Sequence, residues 1–302
     1  MNASNKSVDH LAIGLGFAPD VLCLERPRLR GLVEQINASP IDHVAVTDHV
    51  AFRGGRGSDG ITALTFLAGL GIEKPLHTGV LILPLRHPTI LARQLLDLAD
   101  LHEPGIVVGV GVGGDDPEEY AMAGMSVTER GRRMDDSLTM LAQLLGPQAS
   151  IDHSGFHAAS GPGLARNEGR PVAVLVGGRA DAAHRRAAAA DGWLGTFCSA
   201  SRFASGREAV QAISNEPDVF GYQAWVGVGP DGRAHADRVI NEFYGMDPAP
   251  FQRYTPAGSA EQIHAELVPY IEAGCNLLNL FAASPAPETS VEVISTVVTA
   301  LR

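Results

Sequence analysis

The chain sets an acid and an imidazole side by side at the end of an apolar run, Asp48-His49 after residues 42–47. Such a pair at a strand end can position a substrate or move a proton near neutral pH, where histidine titrates without help from its surroundings. A loop-capping Asp beside a surface His is the plainer reading of the same two residues. A second candidate is Gly109-Val110-Gly111-Val112-Gly113-Gly114-Asp115. Glycines there let a flat ring or a phosphate approach the backbone, although tight strand packing asks for the same residues. The segment lacks the G-x-G-x-x-G helix start, with an acid about 20 positions on, of a dinucleotide fingerprint. The third candidate is Gly177-Gly178-Arg179, which leads into a helix with Asp181 in its first turn. Unpaired N–H groups and a guanidinium there make an anion site, or the segment is an ordinary βα turn. The fourth is the loop 53–60, where Arg53 and Arg56 can meet an anionic tail or simply be solvated.

Several other chemistries lack their residues. Lys6 and Lys74 are the only lysines, and neither stands at the end of an apolar run where a Schiff base would form. No His-x-His opens the first strand, and no G-x-S-x-G elbow occurs. No metal site is expected. With neither a strong nucleophile nor a metal cage of its own, the chain favours a bound organic cofactor.

The elements that must position these residues alternate from one end to the other. Short apolar, β-rich runs fall at 11–16, 42–47, 76–82, 105–111, 172–176, 192–197, 222–228 and 276–280. Helical patterns lie between them, near 27–38, 60–70, 88–101, 129–145, 181–190, 203–213, 259–273 and 287–300. Gly79 to Leu83 and Val172 to Val176 are apolar throughout, as strands buried on both faces of a parallel sheet are. Met134, Leu138, Leu141 and Leu145 recur at helical spacing and predict a stripe that faces the sheet. Pro88 suits a first helical turn, Ser259 with Gln262 forms a capping box, and Gly274 stands where a helix ends. Eight βα units predict a single (β/α)8 TIM-barrel domain over 1–302, with a doubly wound sheet as the competing fold. The Gly/Pro-rich stretch 146–171 is then a long insertion between strands four and five. In a barrel, chemistry belongs at the C-terminal strand ends, where all four candidates fall.

The 302 residues carry 23 Lys+Arg against 34 Asp+Glu, a formal net charge of −11. That balance argues against nucleic acid or an anionic membrane as partner. No apolar run approaches 18 residues, so no transmembrane helix is expected. Cys23, Cys198 and Cys275 form neither a disulfide framework nor a zinc spacing, and a cytoplasmic location is expected. Charged residues are only 19%, which leaves surface for subunit contacts and predicts a homodimer or larger assembly.

Taken together, Thr47-Asp48-His49, His77-Thr78-Gly79-Val80 with Leu85-Arg86-His87-Pro88, Gly109 to Asp115, Glu129 to Arg133, Val176 to Arg179 with Asp191-Gly192-Trp193, and Gly258 with Tyr270 to Gly274 form a series. In this order and spacing the chain resembles the bacterial luciferase-like superfamily of flavin enzymes, nearest the branch of coenzyme F420-dependent oxidoreductases. The resemblance covers roughly residues 11–281. It implies a barrel that binds F420, or alternatively reduced FMN, at its C-terminal face, with the ring across the mouth and the phosphate near Gly177, Gly178 and Arg179. It implies that Asp48 and His49 lie by the ring, that Gly111 and Gly113 border it, and that a non-prolyl cis peptide at about Gly79-Val80 bulges behind it. A glutamate just after the fourth strand often donates the proton in this family; this chain reads Gly113-Gly114-Asp115 there, so Asp115 is a shorter substitute. The reaction implied is hydride transfer to or from a small organic substrate. The alternatives are an FMN-dependent monooxygenase supplied by a separate reductase, and a flavin-binding homologue without turnover.

Overall fold

The computed structural model describes residues 11–146, 150–165, 170–284 and 286–302. All eight expected strands form: β1 (Ala12–Phe17), β2 (His43–Val46), β3 (Leu76–Ile82), β4 (Ile106–Gly111), β5 (Val172–Gly177), β6 (Gly192–Thr196), β7 (Val219–Val228) and β8 (Leu277–Ala283). Their order in the sheet is β6-β5-β4-β3-β2-β1-β8-β7, and β6 also pairs with β7. This is the strand order of a (β/α)8 TIM barrel.

The eight expected helices form as well, as α1 (Arg26–Asn37), α2 (Gly60–Gly69), α3 (Pro88–Leu101), α5 (Arg130–Leu145), α6 (Asp181–Ala187), α7 (Ala200–Gln211), α9 (Ala260–Glu272) and α10 (Pro287–Ala300). The described residues also form helices that the sequence does not predict, among them α4 (Pro117–Met122) and α8 (Gly232–Arg238). Neither carries large apolar residues at helical spacing: the buried residues are Glu119 and Tyr120 on α4, and Gly232 and Ala236 on α8. Ser259 and Gln262 make the reciprocal capping box, and Gly274 takes φ +89° beyond the end of α9. On α5 the buried face is Met134, Ser137, Met140, Leu141 and Leu144, whereas Leu138 and Leu145 are half-buried. The apolar stripe is therefore rotated slightly from the one that leucine spacing alone suggests.

The chain divides into two compact units, residues 1–45 with 175–302, and residues 46–174. In the first, β1 pairs in parallel with β8 from Ala12↔Leu277 to Gly16↔Phe281. The pairs β8–β7, β7–β6 and β6–β5 are parallel too. Its core includes Ile13, Leu15, Trp193, Phe203, Tyr222 and Phe281, all buried. Within β1, an added Cβ on Gly14 would stand 2.1 Å from the ring of His43, so that ring takes the space a side chain would need.

In the second unit β3 and β4 pair in parallel, with a register shift between Thr78 and Leu81. The 146–171 stretch contains an antiparallel hairpin, Ser150–His153 with Ala159–Pro162. Asp136 on α5 holds its turn, accepting from His153 Nε2 at 2.8 Å, Phe156 N at 3.1 Å and His157 N at 3.2 Å. Residues 147–149 and 166–169 of that stretch lie outside the described residues. Among the described residues no helix is long and apolar enough to cross a membrane.

Candidate active site

Within residues 46–174 the site is built outward from Asp48, whose carboxylate is fully buried. Oδ1 accepts from Gly60 N at 2.8 Å and from Arg86 Nη2 at 2.5 Å. Oδ2 accepts from Ile82 N and from Arg86 Nη1, both at 2.8 Å. One side chain thereby ties the start of α2, the end of β3 and the residues before α3. Burial would lower the Arg86 pKa, but the carboxylates of Asp48 and Asp59 outweigh it and raise it further. Asp59, which caps α2, is held below the ordinary carboxylate range: burial opposes this, and the Thr62 N–H and Arg86 overcome it. Four donors converge on the two oxygens of Asp48. The geometry makes it a clamp, where the sequence alone also allowed a catalytic acid or base.

His49 opens a short hairpin, His49–Ala51 against Arg56–Ser58, with a turn of positive φ at Arg53, Gly54 and Gly55. Its ring is 4.3 Å from that of Phe52, centroid to centroid. Its Nδ1 lies 3.4 Å from both carboxylate oxygens of Glu119, a residue on α4. Glu119 Oε1 also accepts from Val50 N at 2.6 Å and Ala51 N at 3.3 Å. Burial would raise the Glu119 pKa, but His49 and these two N–H groups bring it below the ordinary value. Asp116 caps α4 by accepting from Glu118 N, and its other oxygen accepts from Arg53 N at 2.6 Å. Glu119 and Asp116 escaped the sequence reading. The available signal was Asp116-Pro117-Glu118-Glu119, an N-cap, a first-turn proline and two acids. Asp115, the acid the resemblance pointed to, is exposed, while its neighbour Asp116 is buried.

The peptide bond Gly79-Val80 is cis, where the resemblance put one. Thr78 Oγ1 donates to Gly109 O on β4 at 2.8 Å. Val80 lies over Gly111, where an added Cβ would stand 2.6 Å from Val80 Cγ2. Gly113 sits under Ile82 in the same way, at 2.9 Å. Gly111 at the end of β4 and Gly113 just beyond it thus admit the side chains of β3, and partly exposed Val80 presents an apolar surface. Asp48 is joined to this strand by its bond to Ile82 N, two residues beyond Val80, whereas the ring of His49 lies against Phe52 and Glu119. Arg53 and Arg56 are exposed on the hairpin.

The Gly177-Gly178-Arg179 turn belongs to the other unit. Gly178 has φ +132°, its N–H donates to Leu194 O at 3.2 Å, and its carbonyl accepts from Trp193 Nε1 at 2.8 Å. Arg179 Nη1 donates to Phe197 O at 2.8 Å. Ala180 is the N-cap of α6 and provides no side-chain bond, so Asp181 stands within the first turn and does not cap it. A cleft beside this turn is lined by Arg179, Asp181, His184, Ser199, Ser201 and Arg202.

The chain matches the luciferase-like monooxygenase family over residues 25–267. It belongs to that family. It is 39% identical over 116 residues to the uncharacterized protein Rv0940c of Mycobacterium tuberculosis, a match over 38% of this chain and 40% of that protein. Its fold is similar to that of an F420-dependent secondary alcohol dehydrogenase in complex with an F420-acetone adduct (TM-score 0.76, 18% identity, 97% of this chain and 99% of the other). The F420-dependent tetrahydromethanopterin reductase of Methanopyrus kandleri is similar at TM-score 0.75, with 14% identity over 97% of this chain and all of that one. So is the oxygenating constituent of 3,6-diketocamphane monooxygenase from Pseudomonas putida, in complex with FMN, at TM-score 0.71 and 16% identity over 95% and 97% of the two chains.

Proposed function

We propose that this luciferase-like family member is an F420-dependent oxidoreductase that moves hydride to or from a small organic substrate. The observation that carries the reading is the Gly79-Val80 bulge over Gly111, with Asp48 tied to the same strand through Ile82 N. Its residues fit a flat, largely apolar ring. Val80 presents a hydrophobic face and Gly111 leaves that face low, and His49 follows Asp48 just beyond the end of β2. When bound, the deazaflavin would supply two-electron hydride chemistry.

The chain's own residues do the rest. Asp48 holds Arg86, the start of α2 and the end of β3 in one geometry. Val80, Gly79, Gly111 and Gly113 shape the ring's seat. His49 holds or releases the proton that must accompany hydride movement at a carbonyl or alcohol oxygen. Exposed Asp115 remains a second, solvent-linked candidate for that proton. Gly177, Gly178 and Arg179 are proposed for the phosphate end, supported by Arg179, Arg202, Ser199, Ser201 and Ser205, which line the adjoining cleft together with Asp181. A homodimer and a small-molecule substrate belong to the same proposal, as does a cytoplasmic location.

The FMN-bound relative keeps a second reading in view, in which reduced FMN and oxygen replace F420 and a separate reductase supplies the flavin. Parallel binding titrations separate the two, with F420 followed by its own fluorescence. Tight F420 binding with weak FMN binding is expected. The reverse order overturns the F420 reading, and binding of neither overturns both.

A further inference from the structure

We propose that Glu119 is the positioning residue for His49: it fixes which ring nitrogen carries the proton and holds the strand on which the ring is mounted. The proposal rests on the reading of His49 as the proton-moving group. Glu119 lies on α4, seventy positions further along the chain, and its side chain is 1% exposed. Burying a carboxylate is costly unless its lone pairs are used. Two of its contacts are the N–H groups of Val50 and Ala51, which fix the backbone next to His49. The third is His49 Nδ1, at 3.4 Å from either oxygen.

An ionised carboxylate only accepts hydrogen bonds. Nδ1 of a neutral His49 must therefore carry the hydrogen, and Nε2 carries the ring lone pair. Histidine in water prefers the opposite form, so the contact selects the less common tautomer. This is the orienting role that a buried acid plays behind a histidine base in other enzymes. The other acids nearby are engaged elsewhere: Asp48 with Arg86, and Asp116 with Arg53 N and Glu118 N. Glu119 acts through His49, and no reacting atom is required to touch it.

The substitution Glu119→Gln sharpens the test. The amide oxygen is needed by Val50 and Ala51, which turns the amide nitrogen toward Nδ1. A donor now faces the ring, and the tautomer inverts. The experiment uses protein labelled with 15N at histidine, without cofactor, and two-bond 1H–15N spectra in which the His49 signals are assigned by their loss in His49→Gln. The wild type is expected to show His49 as the Nδ1–H form, and Glu119→Gln as the Nε2–H form with the other histidine signals in place. In the F420-loaded enzyme the same variant is expected to lose about tenfold or more in kcat with KM within a few fold. An Nε2–H tautomer in the wild type, or the same tautomer in both proteins, overturns the proposal. Should Glu119→Gln not fold, the wild-type tautomer decides alone. The spectra do not depend on cofactor, so absence of F420 binding would count against the function and leave this relationship standing.

Discussion

Arg86 grips Asp48 with both ends of its guanidinium, Nη1 to Oδ2 at 2.8 Å and Nη2 to Oδ1 at 2.5 Å, and the carboxylate is fully buried. Two parallel charge-assisted bonds fix direction as well as distance. The pair fixes the carboxylate that stands directly before His49 in the chain.

Removing one partner of such a pair strands the other. Asp48→Asn is expected to destabilise the protein by about 3–5 kcal/mol, as is usual when a buried charge loses its counter-charge. Denaturant midpoints at neutral pH measure this. A loss below about 1 kcal/mol would show that the pair is not the clamp described.

His49→Ala is expected to lower turnover with F420 by about 10²–10⁴-fold, the usual contribution of a general acid or base. Cofactor affinity should stay within a few fold. Steady-state kinetics with a cofactor titration separate the two effects, and unchanged turnover removes His49 from the mechanism.

Burial brings the His43 pKa down to about 4, against a weaker upward pull from its 2.6 Å contact with Asn279 Oδ1. The unfolded chain takes up that proton first as the pH falls. Stability is therefore full above about pH 6.5 and declines down to about pH 4, by about 3 kcal/mol. Glu119 adds a lower step of the same sign, since its depressed pKa stabilises above the ordinary 4.5 and fails only below it. Unfolding free energies measured across this range test both, and a flat profile from pH 7 to 4 contradicts the His43 step.

The same histidine makes Gly14 intolerant of a side chain. Gly14→Ala drives a methyl into the His43 ring and is expected to cost about 1–3 kcal/mol, the range for overpacked cores. A thermal midpoint equal to wild type would show that the ring can move aside.

At the proposed phosphate turn, the sequence suggests that Gly178→Asp weakens cofactor binding with little loss of stability. The structure corrects the second half. Gly178 has φ +132°, and an added Cβ would meet Ala183 Cβ at 2.9 Å, so any side chain there strains the backbone and the packing. Arg179→Ala is the cleaner probe. It is expected to weaken F420 at least tenfold, about 1.4 kcal/mol, with the unfolding midpoint nearly unchanged. Unaltered affinity moves the phosphate site elsewhere, with Arg53 and Arg56 as the next residues to test.

The sequence by itself determined the eight strands and the helices that follow them, because apolar runs and helical stripes are local patterns that burial enforces. It also singled out Asp48, His49 and Gly79-Val80 as strand-end residues. Tertiary structure decided what each of them does. Asp48 is a clamp because Arg86, thirty-eight positions on, folds back onto it. His49 has a partner because the short helix α4 delivers Glu119 across seventy positions. Asp115 faces solvent while its neighbour turns inward to cap that helix. Spacing along a chain shows which side chains share a face. Whether a carboxylate is free to move a proton depends on which donors the rest of the fold brings to its oxygens, and those donors lie far away in sequence.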